Sequence, residues 1–410
     1  MADRADLVVV GAGPAGSSTA YHAARSGLSV LLLDRQEFPR DKTCGDGLMP
    51  HAVSEISLMG LSDWLSDPRH GRFRGFALHT QTADFKEPVP PSIHGPRGYV
   101  VPRIETDAAL LERARKAGAR FRGGVHVTEV ARSADGRVAG VEAESNDDTS
   151  RFEAPLVVVA DGSGGGLVHE RKAHQNAVAR RQYFRNVSGP DKDHLHIFAT
   201  KELNERGAGY GWIFYLGDGR ANVGAGLTNE ALSRSSYTLQ QLFDRFLKKQ
   251  PVAEWLADAK PDGPARSWSL KMGMWGARRV GQGLMLVGDA GSMIHPISGE
   301  GVGYAIQSGR LAAAFAHEAH AKSDFSARLL SGYEKGLRRE WALRYFSGRA
   351  LVKALPNLAV LEPIFKASEV DRELRRTLIE SFTGDASVFK LLKHPKVFAS
   401  LVRERARKAG

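Results

Sequence analysis

An apolar run, Leu7-Val8-Val9-Val10, leads into Gly11-Ala12-Gly13-Pro14-Ala15-Gly16 and then into a helix-forming stretch from Ser17 to Arg25. That order of strand, glycine turn and helix constrains the chain more than anything else in it. Gly11 permits the tight turn, Gly13 lets backbone N–H groups approach a pyrophosphate, and Gly16 allows the helix to pack close to the turn. The N-terminus of the helix adds partial positive charge. Pro14 and Ala15 complete the phosphate-facing turn. A second strand, Val30-Leu31-Leu32-Leu33, ends at Asp34, where a carboxylate can accept the hydroxyls of an adenosine ribose, with Arg35 beside it. The opening of the chain is therefore a dinucleotide site.

Two later segments repeat the same grammar. Leu156-Val157-Val158-Val159-Ala160 runs into Asp161-Gly162, and Leu284-Met285-Leu286-Val287 runs into Gly288-Asp289-Ala290 before a helix expected from about Gly301 to Ala321. Asp289 offers a carboxylate to ribitol hydroxyls, and Gly299, Gly301 and Gly303 after His295-Pro296 offer backbone donors near a ring. Those are requirements of FAD that NAD does not share. Arg103 to Arg120 reads as a helix ending at Gly118, followed by a strand pair near Val125–Val130 and Val138–Glu144. The stretches 76–85, 194–200, 212–227 and 267–274 are strand-like and of another character. Gly217-Asp218-Gly219-Arg220 carries a tight-turn signature, so Trp212–Leu216 should pair antiparallel with Ala221–Gly226.

The expected organisation is a discontinuous nucleotide domain (1–75, 101–175 and 276–325), an antiparallel-sheet substrate domain (76–100 and 176–275), and a helical region (326–410). In the last, Val370, Leu374, Leu378 and Phe382 fall on one face of a helix expected over 369–382. The cleft between the two sheets is where a substrate meets the cofactor.

Composition narrows the function classes. One cysteine, Cys44, excludes an internal disulfide and a Cys-cluster zinc or iron–sulfur site. The 14 histidines show no HxxH or HExxH spacing, so no metal site is expected. The net charge of +11 is scattered rather than interleaved with aromatics, which argues against nucleic acid. Met1–Asp6 is short and mixed in charge, so a cytoplasmic protein is expected, with peripheral membrane contact open through the basic stretch Arg403–Lys408. No obligate protein partner is implied.

The three nucleotide signals together resemble the flavoprotein monooxygenases built like para-hydroxybenzoate hydroxylase. Pro39-Arg40-Asp41-Lys42-Thr43-Cys44-Gly45 resembles the PxxKxCG element of the geranylgeranyl reductase family. Tyr210-Gly211-Trp212-Ile213-Phe214, followed by Gly224-Ala225-Gly226, resembles its YxWxFP…GxG element. Tyr215 stands where that family has proline. The resemblance implies a Rossmann-like FAD-binding fold with an inserted sheet. It places Lys42, Cys44, Gly45, Arg103, Val127, Pro296, Gly299, Gly301 and Val302 beside FAD, with Tyr210, Trp212, Phe214 and Tyr215 along a hydrophobic substrate. It also implies reduction of isoprenoid double bonds, with electrons from NADPH or another external donor; oxygenation by the same scaffold is the alternative. An isolated alkene accepts hydride poorly, so a proton must reach the other carbon as the hydride arrives. Cys44, Asp46, Tyr215 and His295 are the candidate donors.

Overall fold

The computed structural model describes residues 3–90, 95, 97–145, 148–168, 176–204, 207–274, 278–354, 358–384, 386–395 and 397. The three buried nucleotide strands lie side by side. Leu156–Val159 pairs in parallel with Leu7–Val10 on one side and with Leu284–Leu286 on the other. Val30–Leu33 and Arg120–Arg122 extend the sheet in parallel beyond Leu7–Val10, and Val280–Gly281 closes the far edge antiparallel. The central strands are unbroken runs of Val and Leu because both faces of this sheet are covered. On one face the helix Pro14–Arg25 packs against Val302–Ala321. A side chain at Gly309 would put its Cβ 2.3 Å from the Ala15 carbonyl oxygen, so glycine sets how closely the two helices approach. Ser18 seals the crossing by donating to the Ile306 carbonyl at 2.7 Å. The other face is covered by a smaller sheet containing His126–Arg132, Val138–Ser145 and Asp148–Glu153.

The inserted sheet is large, with seven strands in its main order and an eighth paired to Ala177–Arg185. Gly209–Tyr215 pairs antiparallel with Arg220–Thr228, placing Phe214 opposite Asn222 and Trp212 opposite Gly224, as the Asp218-Gly219 turn requires. Ala177–Arg185 pairs antiparallel with Arg220–Thr228, so Asn222 also lies opposite Tyr183. The sheet departs from a purely antiparallel pattern at one place, where Gly75–His79 runs parallel to His194–Phe198. Its hairpin with Asp84–Pro88 is laid down before the chain returns to the nucleotide layer, and it docks on the exposed edge from that direction.

The tail forms the helices Ala327–Ala354, Leu358–Val370, Arg372–Thr383 and Phe389–Lys393. The single helix expected over 369–382 is broken. Asp371 caps the second helix, its carboxylate accepting the Leu374 N–H at 3.1 Å, and Val370 is left 83% exposed. Leu374, Leu378 and Phe382 keep their shared inward face. The basic stretch 403–408 lies outside the described residues. Among the described residues no helix is long and apolar enough to cross a membrane.

Candidate active site

One cavity of about 810 Å³ runs from the nucleotide turn, between the two sheets, to the underside of the tail helices. Its polar end is built by the first turn. Gly11 sits at φ +102°, where a Cβ would lie 2.4 Å from the Ala160 carbonyl oxygen, and a Cβ on Gly16 would lie 1.7 Å from the Gly11 oxygen, so both positions demand glycine. Gly13 caps the first helix without a side-chain acceptor, so no side chain occupies the helix N-terminus where a ligand phosphate would sit. Arg40 faces the same spot, its Nη2 3.5 Å from where a Gly13 Cβ would be. A second open helix start lies on the same cavity: Gly301 caps Val302–Ala321 with no side-chain acceptor.

Asp34 stands at the end of its strand, where Oδ2 accepts the Ala12 N–H at 2.7 Å. Arg35 and Val127 line the cavity nearby, as does Asp161, whose carboxyl is raised by burial against the Leu167 N–H. Asp289 accepts from Ser163 at 3.0 Å and sits 3.4 Å from Lys42 Nζ. Two uncapped helix N-termini, a cation over the first, and carboxylates at both ends suit an extended flavin dinucleotide. FAD therefore fits the residues present.

Midway along the cavity the loop Thr43–Gly47 crosses between the sheets. Gly45 and Gly47 press against the Phe214 ring, and a Cβ on Gly45 would lie 3.3 Å from it. Burial raises the Cys44 thiol above its ordinary range, opposed by the nearby Arg103 cation. Arg103 is itself fixed by a two-point contact with Asp107, at 2.6 and 2.7 Å. Asp46 is 1% exposed and holds φ +64°, a backbone conformation that costs a non-glycine residue energy. Its Oδ2 accepts from Tyr183 at 2.5 Å and from Asn222 at 2.7 Å, while Oδ1 accepts the Arg103 N–H at 3.2 Å. Burial pushes this carboxyl up to about 6 despite the Tyr183 and Asn222 donors and the Arg181 cation.

Beyond the loop the cavity becomes apolar. Tyr210, Trp212 and Phe214 form one wall from alternate positions of a single strand, and Leu361, Phe365, Leu378 and Phe382 from the tail form the other. Trp212 is locked flat: its Nε1 donates to Asn222 at 2.9 Å, and a Cβ on Gly224 would lie 2.1 Å from the indole.

Comparison with known proteins bears on this arrangement. A family model described as an FAD binding domain matches residues 4–189. The chain is 36% identical over 324 residues to the menaquinone reductase of Mycolicibacterium smegmatis, covering 76% of each. It is 31% identical over 390 residues to digeranylgeranylglycerophospholipid reductase 1 of Methanopyrus kandleri, covering 91% of this chain and 96% of the relative. This chain belongs to the geranylgeranyl reductase family of FAD-dependent oxidoreductases. A geranylgeranyl bacteriochlorophyll reductase-like structure from Thermoplasma acidophilum shares the fold, with TM-score 0.78, 24% identity, and coverage of 98% of this chain and 100% of that one.

As a geranylgeranyl reductase relative, the chain brings Gly13, Pro14, Ala15, Lys42, Cys44, Gly45, Asp46, Arg103, Gly162, Asp289, Pro296, Gly299, Gly301 and Val302 onto the cavity. Gly16 and Gly288 support it from behind, the latter at φ +57° against Ala15 and Ala305. Two expectations need correcting. Tyr215 follows Phe214 by one position and so faces the other side of the sheet, where its hydroxyl donates to the Ser188 carbonyl. It lines no part of the cavity. His295 is 1% exposed, its Nδ1 lies 3.1 Å from Ser298 Oγ, and its ring stacks on Tyr304 behind the wall formed by its neighbours. Desolvation holds its pKa down at about 3.

Reading the sequence missed Asn222, Tyr183 and Arg40, and read Phe382 only as part of an amphipathic face. Asn222 was within reach: counting outward along both strands from the Asp218-Gly219 turn sets it opposite Phe214. Tyr183 had no such handle, since its strand pairs across a gap of more than thirty residues. Among the described residues one group, Asp191, Asp193 and His194, brings ligand-type atoms within 4.8 Å of one another. Lys86 and Arg74 already pair with its two carboxylates.

Proposed function

We propose that this chain reduces carbon–carbon double bonds in the isoprenoid side chain of a lipid such as menaquinone. The observation that carries the reading is one continuous cavity, polar at the nucleotide turn and apolar under the tail, with the Cys44 loop at the junction. Bound FAD, once reduced by an external donor such as NADPH, supplies the hydride. The 1–75, 101–175 and 276–325 segments hold it, while 76–100, 176–275 and the tail enclose the substrate. Trp212, Phe214, Phe365 and Phe382 orient the chain and exclude water. Cys44 gives its thiol proton to the carbon that does not take the hydride, and the Arg103 cation steadies the thiolate left behind.

Access from a bilayer fits the tail. The helix Ala327–Ala354 exposes Leu343 and Phe346 on one side while Leu351 and Val352 line the cavity on another. Exposed Phe389 lies beside Phe346, with Lys390 and Lys393 exposed nearby, a pattern suited to peripheral contact with anionic lipid.

The test is the mass of the product after incubation of the FAD-loaded protein with dithionite and menaquinol in detergent. A gain of two hydrogens per saturated bond is expected. A gain of one oxygen on reoxidation in air, or an unchanged side chain, would overturn the proposal.

A further inference from the structure

Cys44 can act once with the proton it carries, but a second turnover requires a new one. The half-buried Cys44 thiol sits on the cavity wall, with the Arg103 guanidinium, the Asp46 N–H and carboxyl, and the Tyr210 hydroxyl acting on it. Arg103 is committed to Asp107, and Tyr210 donates to the Ser298 carbonyl. Asp46 is the one of these that continues toward the outside. Its Oδ2 meets the Tyr183 hydroxyl at 2.5 Å, and Tyr183 is only half-buried, flanked by Arg181 at 4.2 Å and Arg220 at 5.5 Å from its ring centre. Asn222 holds the line together. It is 0% exposed and donates to both the Cys44 carbonyl, at 2.8 Å, and Asp46 Oδ2, while accepting from Trp212. One amide thus fixes the substrate wall, the thiol loop and the carboxyl together.

We infer that Tyr183 and Asp46 form a proton inlet that restores Cys44 between turnovers, with Asn222 as its positioning residue; this rests on the reading of Cys44 as the proton donor. The Cys44 thiolate takes the proton of the Asp46 carboxyl. The Asp46 carboxylate then takes the Tyr183 hydroxyl proton as that oxygen takes one from a buffer acid through solvent, so neither phenolate nor hydroxide is left behind. The first transfer runs from a carboxyl to a thiolate, the direction in which a carboxylic acid ordinarily gives up its proton. The outer transfer keeps Tyr183 neutral, in accord with burial and the Asp46 charge both pushing its ionisation up.

An inlet slows only the turnovers after the first, and the test uses that. FAD-loaded, dithionite-reduced protein is mixed with menaquinol, and product is counted through the first turnover and then at steady state under excess dithionite. Tyr183→Phe is expected to keep its first-turnover rate within about twofold and to lose roughly tenfold or more at steady state. Equal loss in both phases, or no loss in either, would overturn the inlet. Cys44→Ala separates the two claims: slowing of its first turnover with an unaffected Tyr183→Phe overturns the inlet alone, whereas an unaffected Cys44→Ala overturns both. A second readout needs no turnover. The infrared carbonyl band of protonated Asp46, identified by its absence in Asp46→Asn, should persist to higher pH in Tyr183→Phe, because a donor to the carboxylate has been removed. A band that titrates unchanged contradicts the contact.

Discussion

The two faces of the strand Gly209–Tyr215 are one residue apart in sequence and belong to different parts of the protein's work. On the cavity face, Tyr210, Trp212 and Phe214 meet polar partners chosen for position: Ser298, Asn222 and the glycines of the Cys44 loop. On the opposite face, Ile213 and Tyr215 pack into a core with Phe243, Phe246 and Trp255, and the polar groups there bond to one another. His79 Nε2 lies 3.0 Å from His196 Nδ1, and Tyr215 donates to Ser188. Alternation along a strand thus separates chemistry from stability within seven residues. A change of parity, and not of residue type, decides which role a tyrosine takes.

The largest effect expected from breaking this comparison is at Gly224. Gly224→Val places atoms where the Trp212 indole lies, and turnover should drop by about two orders of magnitude while FAD is retained, read by steady-state rate and flavin absorbance. A variant that turns over normally would remove Trp212 from the substrate wall. Trp212→Phe comes next. It leaves the Asn222 carbonyl oxygen buried without its donor, so a loss of about 1–3 kcal/mol in denaturant unfolding is expected together with a raised KM.

The faces also titrate with opposite sign. Burial pushes His196 down to about 4, so the unfolded chain takes up its proton first, and stability on that account falls as pH drops from 6.5 through 4. Burial pushes Asp46 up to about 6, so the folded chain takes up the proton first, and stability on that account rises as pH drops from 6 through 3.8. His196→Phe should therefore flatten the acid side of the Tm profile, and Asp46→Asn should remove a gain in the same window. Shifts of the same sign would contradict the assignment of both environments. The smallest effect is at Tyr215→Phe, which gives up one hydrogen bond. It should cost about 1 kcal/mol of stability with turnover unchanged, and a fall in kcat would return Tyr215 to the site.

These contrasts also mark what could be read from the chain beforehand. The nucleotide layer was legible because its requirements are local: Gly11, Gly13 and Gly16 sit within one turn, and the Val and Leu runs declare strands buried on both faces. The hairpin was legible because Asp218-Gly219 fixes its register, which carried Trp212 and Phe214 to the cavity. His295 was misread because sequence places it beside Pro296 and Gly299 but does not say that its ring turns back onto Tyr304. The Asp46 network was out of reach as a network. Its members come from 46, 103, 183 and 222, and only the packing of the inserted sheet on the loop brings them together.

The most direct test is anaerobic. Protein loaded with FAD and reduced by one equivalent of dithionite is mixed with menaquinol, whose ring can accept no electrons, and the flavin absorbance is followed. The account predicts that the oxidised flavin band returns without oxygen, with a side chain two hydrogens heavier in equal amount. A flavin that stays reduced until oxygen is admitted would contradict it.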